Sequence, residues 1–350
     1  MTAGLMPGGA MAQTNSYYQG PVSDHFDGTR FFNPGVPNET RGLADMLKWK
    51  FGSRAAVWPR QVPAGPPDKP PARVAGSDGR LTFVGHASFL LQIAGLNILL
   101  DPVWSERASP FSFAGPKRHA APGIAFDDLP RIDAVLVSHC HYDHMDLATL
   151  LRLWQRDRPR IVVPLGNDTI IRAADATVAV EAADWGDSVR LGPEVVVHLV
   201  SARHWSARGL SDRRHALWAA FVIDAPGGGI YAVGDTSFGD GSTFGAVAAA
   251  HPGLRLALLP IGAYAPRWFM KDQHVNPAEA VEAFRLCGAR QAVGHHWGTF
   301  QLTDEGFDDP PRDLARALDE AGVPAQSFVT ALPGTAFRLG DGGLERVAPG

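Results

Sequence analysis

The segment SHCHYDHMD, which begins at Ser138, holds three histidines and two aspartates in nine consecutive residues. It follows the apolar run IDAVLV, which predicts a strand, so these side chains should lie on a loop at the carboxyl end of that strand, where α/β proteins usually have their sites. His139 and His141 can bind one metal ion from the same side of the chain, and Asp143 and His144 face a second position close by. Neutral imidazole and carboxylate suit Zn²⁺ and chemically similar cations. The alternative is a surface loop whose histidines serve solubility or a pH response.

Three more candidate ligands each follow a predicted strand. They are His204 in SARHWSARG, Asp235 in YAVGDTSFGD, and one histidine of AVGHHWGTF, where the choice lies between His295 and His296. Segments that leave their strands at the same edge of a sheet meet in space, so these three can converge with the first segment.

Hydrophobic patterns predict the elements that would position these residues. Short apolar runs predict strands at Leu81–Val84, Ser88–Ile93, Asn97–Leu100, Ile132–Val137, Ile161–Val163, Val195–Val200, Trp218–Ile223, Ile230–Val233, Leu254–Leu259 and Gln291–Val293. Apolar residues three or four apart predict helices at Leu147–Trp154, Pro277–Leu286 and Pro311–Glu320. Hairpins mixed with helix-linked strands favour an α/β fold in which two sheets lie between helices.

The first 78 residues have a different character. They are rich in glycine, proline and aromatic residues, and VPAGPPDKPPAR holds five prolines, whose fixed φ and missing N–H exclude regular elements. We expect residues 1–78 to form an arm that wraps the core, with a short helix near Thr40–Phe51 and with Phe26, Phe31 and Phe32 as anchors. Residues 79–350 are the predicted catalytic domain.

Composition excludes several classes of protein. Hydrophobic residues make up 45% of the chain and charged residues 19%, as in ordinary globular proteins, and a net charge of -4 argues against a nucleic-acid partner. Only two cysteines occur, Cys140 and Cys287, so no disulfide framework is expected and a reducing compartment is favoured. The amino-terminal residues lack the pattern of a secretory signal, and no apolar run reaches the length of a membrane span. We therefore expect a cytoplasmic protein, with peripheral contact to a membrane surface left open.

The motifs resemble a known family. HCHYDH, GDT and the late histidine are similar to those of the metallo-β-lactamase-fold hydrolases. GHASFLLQIAGLNILLDPVWSERASPFSFAGPKRH, PIGAYAPRWFMKDQHVNPAEAV and HHWGTFQLTDEGFDDPP narrow the resemblance to the N-acylphosphatidylethanolamine-hydrolysing phospholipase D branch, over about residues 80–315. The resemblance implies an αββα sandwich with two Zn²⁺ ions per chain. It also implies cleavage of N-acylated ethanolamine phospholipids to phosphatidic acid and an N-acylethanolamine.

The resemblance also assigns metal ligands. It implies one zinc held by His139, His141 and His204, a second held by Asp143, His144 and His296, and Asp235 as the bridging carboxylate. His296 is preferred to His295 because it directly precedes the matched WGTF. A hydroxide held between two such cations is ionised near neutral pH and can attack phosphorus. His86, which follows the first core strand, is expected to orient a ligand rather than to bind metal.

Two further sets of residues are candidates for catalysis and substrate binding. Asp143 and His274 are the predicted catalytic residues. We expect His274, in KDQHVNP, to be the general acid that protonates the departing alkoxide. The alternative is that His274 caps the helix near Pro277. The set Arg267, Trp268, Phe269 and Lys271 mixes cationic and aromatic groups that suit a phosphate beside acyl chains. The alternative for this set is a loop whose aromatic residues belong to the core.

The predicted function is therefore a zinc-dependent phosphodiesterase of the phospholipase D type, in which a metal-bridging hydroxide attacks phosphorus of N-acylphosphatidylethanolamine. A lactonase or a small-molecule phosphodiesterase on the same dizinc scaffold is the alternative, because a fold and a metal pair do not fix the substrate. A metal-stabilised lipid-binding protein without turnover is a second one. A phospholipid is the expected partner, and a homodimer is compatible with the resemblance because dimers occur in that branch.

Overall fold

Two mixed β-sheets lie face to face between helices. The computed structural model describes residues 14–36 and 42–348. The strands are β1 (Gly79–Gly85), β2 (Ser88–Ile93), β3 (Leu96–Leu100), β4 (Ala134–Leu136), β5 (Arg160–Pro164), β6 (Val180–Ala183), β7 (Ser188–Arg190), β8 (Val196–Val200), β9 (Ala220–Asp224), β10 (Ile230–Ala232), β11 (Leu256–Pro260), β12 (Gln291–His295), β13 (Phe328–Thr330), β14 (Ala336–Gly340) and β15 (Gly343–Arg346). The helices are α1 (Leu43–Gly52), α2 (Leu147–Asp157), α3 (Asn167–Ala174), α4 (Ser242–Ala250), α5 (Arg267–Met270), α6 (Pro277–Cys287) and α7 (Asp309–Glu320), with 3₁₀ turns at Phe126–Asp128 and Ala325–Ser327.

The strand order explains why several strand ends meet. The first sheet has the order β15-β14-β1-β2-β3-β4-β5-β6, and the second has the order β13-β12-β11-β10-β9-β8-β7. In the second sheet, β9 pairs antiparallel with both β8 and β10, whereas β10, β11 and β12 are parallel neighbours. The carboxyl ends of β8, β10 and β12 therefore lie at one edge of this sheet.

Three apolar layers hold the sandwich together. Alternation along β9 turns Phe221 and Ile223 toward the other sheet, while Ala220 and Val222 face the layer that contains α4 and α6. A third layer packs α2 and α3 against the opposite face of the first sheet. Each fully buried large apolar side chain contributes about 1.5–3 kcal/mol. The layers confirm the predicted αββα sandwich.

The described part of the arm packs against the core. Phe26 and Phe31 are fully buried in the layer beside the second sheet, as predicted, whereas Phe32 is half-buried. The predicted helix near Thr40–Phe51 is α1, whose first residue is Leu43; Thr40 lies outside the described residues. The first strand begins at Gly79, where the sequence predicts that the catalytic domain begins.

Several elements were not predicted from the sequence. They include α3, α4 and the last three strands. The segment STFGAVAAA of α4 alternates too little between polar and apolar residues to give a helical period. Within the described residues, no helix is both long and apolar enough to span a bilayer.

Candidate metal centre

Seven side chains from four loops meet at the edge where β8, β10 and β12 end. The loop after β4 carries the first segment, and the loops after β8, β10 and β12 carry the other candidates. Every predicted metal ligand belongs to one of two groups of converging donor atoms, the first formed by His139, His141, His204 and Asp235 and the second by His86, Asp143, His144 and His296. Asp235 also contacts His144 and His296 and so joins the two clusters. The structure thus brings together all seven residues that the sequence singles out.

The first cluster contains three histidines whose ring nitrogens face one another. His139 Nε2 lies 2.8 Å from His141 Nδ1, and His204 Nε2 lies 3.2 Å from the same nitrogen. Asp235 Oδ2 is 3.8 Å from His139 Nε2 and 3.5 Å from His204 Nε2. Three nitrogens and one oxygen converging from different segments can form a four-coordinate site.

The second cluster contacts Asp235 of the first. Asp143 Oδ2 lies 3.5 Å from His144 Nε2 and 3.3 Å from His296 Nε2. The other oxygen of the shared carboxylate, Asp235 Oδ1, is 3.0 Å from His296 Nε2, and its Oδ2 is 3.2 Å from His144 Nε2. Asp235 therefore lies between histidines of both clusters, a position from which one carboxylate can bridge two cations.

Unpartnered atoms show that these residues fit a metal. Among the described residues, five buried atoms of the seven candidate ligands have no hydrogen-bond partner: His141 Nε2, His144 Nε2, Asp235 Oδ1 and both ring nitrogens of His296. Leaving a buried polar atom unpaired costs about 1–3 kcal/mol, so five of them at one place call for a ligand. Imidazole nitrogen with carboxylate oxygen is the donor set that divalent zinc prefers.

The electrostatics point the same way. Burial lowers the pKa of His204 to about 3 and that of His141 to about 4, so both imidazoles are neutral and free to coordinate. Burial would raise the pKa of Asp235, but His296 and His144 hold it well below its usual range, so it is a carboxylate. Burial lowers the pKa of His296, but the neighbouring carboxylates Asp235 and Asp143 outweigh this effect and raise that pKa to about 9. The carboxylates draw positive charge to this point, which a bound cation would supply.

Supporting hydrogen bonds orient the ligands from outside. Asp101 accepts a hydrogen bond from Ser138 N at 2.6 Å, and its Oδ2 lies 2.7 Å from His144 Nδ1. His204 Nδ1 lies 3.1 Å from the carbonyl oxygen of Gln273. Asp101 was not predicted as a site residue. It could have been, because it directly follows β3 in LLDP, just as Asp235 follows β10.

His86 has the supporting place that the sequence suggests. Its Nε2 lies 2.9 Å from Asp143 Oδ2, and its ring centroid is 4.1 Å from that of His296. Its backbone N–H donates to Thr299 Oγ1 at 2.8 Å. His86 thus contacts two candidate ligands and lies within the second group of possible metal donors, and its orienting role stays a prediction.

The neighbouring histidines His295 and His296 point in different directions. His295 Nε2 lies 2.7 Å from the carbonyl oxygen of Val233, between the sheets, and its ring makes an edge contact with Phe89. His296 instead faces Asp143 and Asp235. This geometry favours His296 as the ligand, in agreement with the preference drawn from the sequence.

His274 lies at the rim of the centre. Its buried Nδ1 has no hydrogen-bond partner and is 3.9 Å from Asp235 Oδ2. The alternative role as a helix cap is wrong, because Asn276 caps α6: its side chain accepts from Glu279 N at 2.8 Å. The role of general acid stays a prediction.

The four predicted substrate contacts differ in exposure and in their partners. Arg267 donates hydrogen bonds to both carboxylate oxygens of Glu279, at 2.8 and 2.9 Å, and to the carbonyl oxygen of His274 at 2.8 Å. Phe269 is buried against Trp49. These contacts give Arg267 and Phe269 a structural role in this segment, and their role in binding substrate stays a prediction. Trp268 and Lys271 are exposed, so they stay candidates.

The loop with the first ligands is braced by Arg208. Its guanidinium donates to the carbonyl oxygens of Cys140 at 2.9 Å and Met145 at 3.0 Å, and it lies over the ring of Tyr142. Burial raises the pKa of Cys140 to about 12, so this thiol is protonated at neutral pH. A reactive role for Cys140 at neutral pH is thus disfavoured.

Comparison with known proteins agrees with the fold. Residues 96–297 match the family described as Beta-lactamase superfamily domain. The chain is 38% identical over 271 residues to N-acyl-phosphatidylethanolamine-hydrolyzing phospholipase D 1 of Caenorhabditis elegans, covering 74% of this chain and 76% of that one. It is 31% identical over 255 residues to the mitochondrial N-acyl-phosphatidylethanolamine-hydrolyzing phospholipase D of Saccharomyces cerevisiae, covering 72% of this chain and 54% of that one. Igni18, a metallo hydrolase of the archaeon Ignicoccus hospitalis, has a similar structure, with a TM-score of 0.55 and 20% identity over 75% of this chain and 99% of that one.

The match to the superfamily domain spans more than half of the chain, so the protein is a metallo-β-lactamase-fold hydrolase. Within that class, it belongs to the N-acylphosphatidylethanolamine-hydrolysing phospholipase D family and is a metal-dependent hydrolase of the phospholipase D type. The likeness to Igni18, at 20% identity, supports the fold alone.

Proposed function

We propose that this protein hydrolyses N-acylphosphatidylethanolamine to phosphatidic acid and an N-acylethanolamine, with two zinc ions. The observation that carries the proposal is the position of Asp235, whose carboxylate lies within 3.5 Å of histidines from both clusters. The names of the two curated relatives supply the substrate class, since they describe enzymes that hydrolyse this phospholipid.

The two clusters would hold one zinc each. Two such ions would ionise a water molecule near neutral pH and offset negative charge on the phosphoryl oxygens. Asp143 and Asp235 would add two negative charges that offset part of the charge of the cations. Asp101 and Ser138 fix the ring of His144 through hydrogen bonds, so the ligands are oriented before substrate arrives.

The reaction adds water across one phosphodiester bond. Water oxygen becomes bonded to phosphorus, the bond from phosphorus to the ethanolamine oxygen breaks, and that oxygen leaves as an alcohol after receiving a proton. His274 is the candidate proton carrier, because an unpartnered ring nitrogen lies at the rim of the centre, 3.9 Å from Asp235 Oδ2. Arg267 holds the carbonyl oxygen of His274 and so keeps the imidazole at this rim.

A groove beside the ligand loop suits a lipid. It encloses about 480 Å³, and its lining mixes apolar and aromatic groups, such as Leu147 and Phe111, with charged side chains of both signs, among them Arg208 and Glu106. Apolar surface combined with polar groups is typical of sites that bind small molecules. We propose that the groove receives part of the phospholipid.

Exposed aromatic residues stand at the same groove. Phe111 and Phe113 are 55% and 79% exposed, and their ring centroids lie 5.5 Å apart. Exposed paired aromatic rings cost little to insert into a headgroup layer and recover free energy of burial there. We propose that this pair contacts a membrane surface peripherally. The homodimer stays a prediction that a measurement of molecular mass in solution tests.

Product analysis on zinc-loaded protein tests the proposed reaction. Vesicles that contain N-acylphosphatidylethanolamine should yield phosphatidic acid and N-acylethanolamine, identified by mass spectrometry. Asp235→Asn should abolish both products, whereas Asp127→Asn, on an exposed turn, should leave them unchanged. Turnover of lactones or of bis(p-nitrophenyl) phosphate without lipid turnover would support the alternative hydrolase, and no turnover of any substrate would support a lipid-binding protein. Either result contradicts the proposal.

A further inference from the structure

A second group of metal-binding side chains lies away from the centre. His198, Asp224 and His251 each offer one ligand atom, and these atoms all lie within 4.8 Å of one another. His198 Nε2 is 3.0 Å from Asp224 Oδ2, and the rings of the two histidines have centroids 4.8 Å apart. None of these three residues was predicted from the sequence to be a metal ligand.

Strand alternation explains why they converge. His198 on β8 pairs with Val222 on β9, and Val222 faces the layer that contains α4. Asp224, two residues farther along β9, has the same orientation. His251 follows α4 directly as its C-cap residue, and α4 packs on this face through Phe244 and Val247. Three elements therefore deliver one ligand each to one point.

This point lies at the edge opposite the candidate centre. Asp224 ends β9, which runs antiparallel to β8 and β10, whereas His204 and Asp235 follow the carboxyl ends of those two strands. The two sets of residues share no member, so a change in one set can be tested without altering the other.

We propose that His198, Asp224 and His251 form a peripheral site for a divalent transition metal ion, with zinc as the expected occupant. Two imidazoles and one carboxylate are a donor set for zinc and its neighbours, whereas calcium and magnesium prefer oxygen ligands alone. The side chains of His198 and Asp224 are 27% and 50% exposed, so an ion can enter from solvent and keep water on its remaining positions.

The end of α4 adds to this preference. The carbonyl groups at the carboxyl end of a helix carry partial negative charge, which favours a cation within the last turn. An ion held here would join the end of α4 to β8 and β9. Binding to the folded state alone would raise the resistance of the protein to thermal unfolding.

Zinc counting tests the site on the full-length, zinc-loaded protein. Samples are dialysed to equilibrium against a series of buffered Zn²⁺ concentrations, and zinc per chain is measured by elemental analysis. Wild-type protein should take up one zinc per chain more than His198→Gln and His251→Gln, and Asp224→Asn should behave like them. His119→Gln is the matched control, because the ring of His119 contacts Trp58 and a carbonyl oxygen and has no carboxylate partner.

Thermal unfolding gives a second readout. Zinc added beyond the amount that the variants bind should raise the midpoint temperature of unfolding of wild type and of His119→Gln. It should leave the midpoint temperatures of the three cluster variants unchanged. Lipid hydrolysis should be the same in all five proteins. Equal zinc content in wild type and cluster variants, at every free concentration, would overturn the proposal, whatever the outcome for the central reaction.

Discussion

Asn33 and His204 are 171 residues apart in sequence, yet the side-chain amide of Asn33 donates to the carbonyl oxygen of His204 at 2.9 Å. The amide oxygen of Asn33 accepts from Trp218 Nε1 at 3.2 Å. One side chain of the amino-terminal arm thus links a candidate metal ligand to the core. The arm is part of what positions the centre.

We expect Asn33→Ala to lower both stability and metal retention. Loss of the two hydrogen bonds should cost about 1–3 kcal/mol in the free energy of unfolding, measured with urea. Zinc affinity, measured by competition with a chelator, should fall roughly tenfold, as is typical when a partner of a ligand is lost. Asn33→Asp is the control, because it keeps the acceptor for Trp218 but loses the donor to His204. If Asn33→Asp retains zinc like wild type, the link to His204 is unimportant.

Asp101→Asn should weaken the centre through His144. Asp101 accepts from Ser138 N and Oγ, both at 2.6 Å, and holds the Nδ1 side of the His144 ring. An amide in this place removes the negative charge that makes the imidazole a better donor to metal. We expect a 10- to 100-fold loss in zinc affinity. Retention of wild-type affinity in a folded Asp101→Asn would mean that this contact does not tune the ligand.

Arg267→Ala distinguishes a positioning role from substrate binding. Because Arg267 holds Glu279 and the carbonyl oxygen of His274, its loss should displace His274 and lower kcat at least tenfold with little change in KM. Arg285→Ala is the matched control, because Arg285 is an exposed arginine that pairs with Glu282 within α6. A rise in KM at constant kcat for Arg267→Ala would instead support substrate binding.

Phe111→Ser with Phe113→Ser should weaken binding to vesicles. The two exposed rings offer apolar area that a membrane can bury, and each ring is worth about 1.5–3 kcal/mol when fully buried. We expect at least tenfold weaker sedimentation with vesicles. Hydrolysis of a short-chain substrate below its micelle concentration should fall less than this, because only Phe111 of the pair lines the groove. Vesicle binding equal to that of wild type would show that another surface makes the contact.

Acid should weaken the loop that carries Arg208. Burial would raise the pKa of Asp212, but hydrogen bonds from Tyr17 Oη at 2.6 Å and from the backbone N–H groups of Gly209 and Arg208 hold it below its usual range. A depressed pKa stabilises the fold above the unfolded value of about 3.9, and this stabilisation is lost as the pH falls through the folded value.

The measurement is the free energy of unfolding of wild type and Asp212→Asn between pH 3 and 7. The advantage of wild type should be largest at pH 6–7 and should shrink below about pH 4. A difference that stays constant across this range would mean that the charge of Asp212 is not what stabilises the loop.

The sequence was informative where chemistry is concentrated at strand ends. The seven candidate ligands could be chosen because local spacing and the strand before each one point to a common edge. Spacing alone left His295 and His296 open; the matched WGTF favoured His296, and the structure agrees, since neighbouring residues at the end of β12 turn to opposite sides. Asp101 was missed because a single aspartate after a strand is common.

Other features depended on contacts between distant segments. The sequence alone could not show that Arg267 pairs with Glu279, because this contact forms only when α6 folds back on α5. The cluster of His198, Asp224 and His251 arises from the packing of α4 on the second sheet, and α4 itself has too little amphipathic pattern to be predicted. The hydrogen bonds of Asn33 to His204 and Trp218 could not be predicted either, because they depend on the path of the arm over the core.

The central claim is that one carboxylate, Asp235, joins two metal positions. The most direct measurement is anomalous diffraction at the zinc absorption edge from crystals of zinc-loaded protein. We predict two strong peaks on either side of Asp235, roughly 3.5–4 Å apart, the usual spacing of paired catalytic metals. A single peak at this place, or none, would contradict the account.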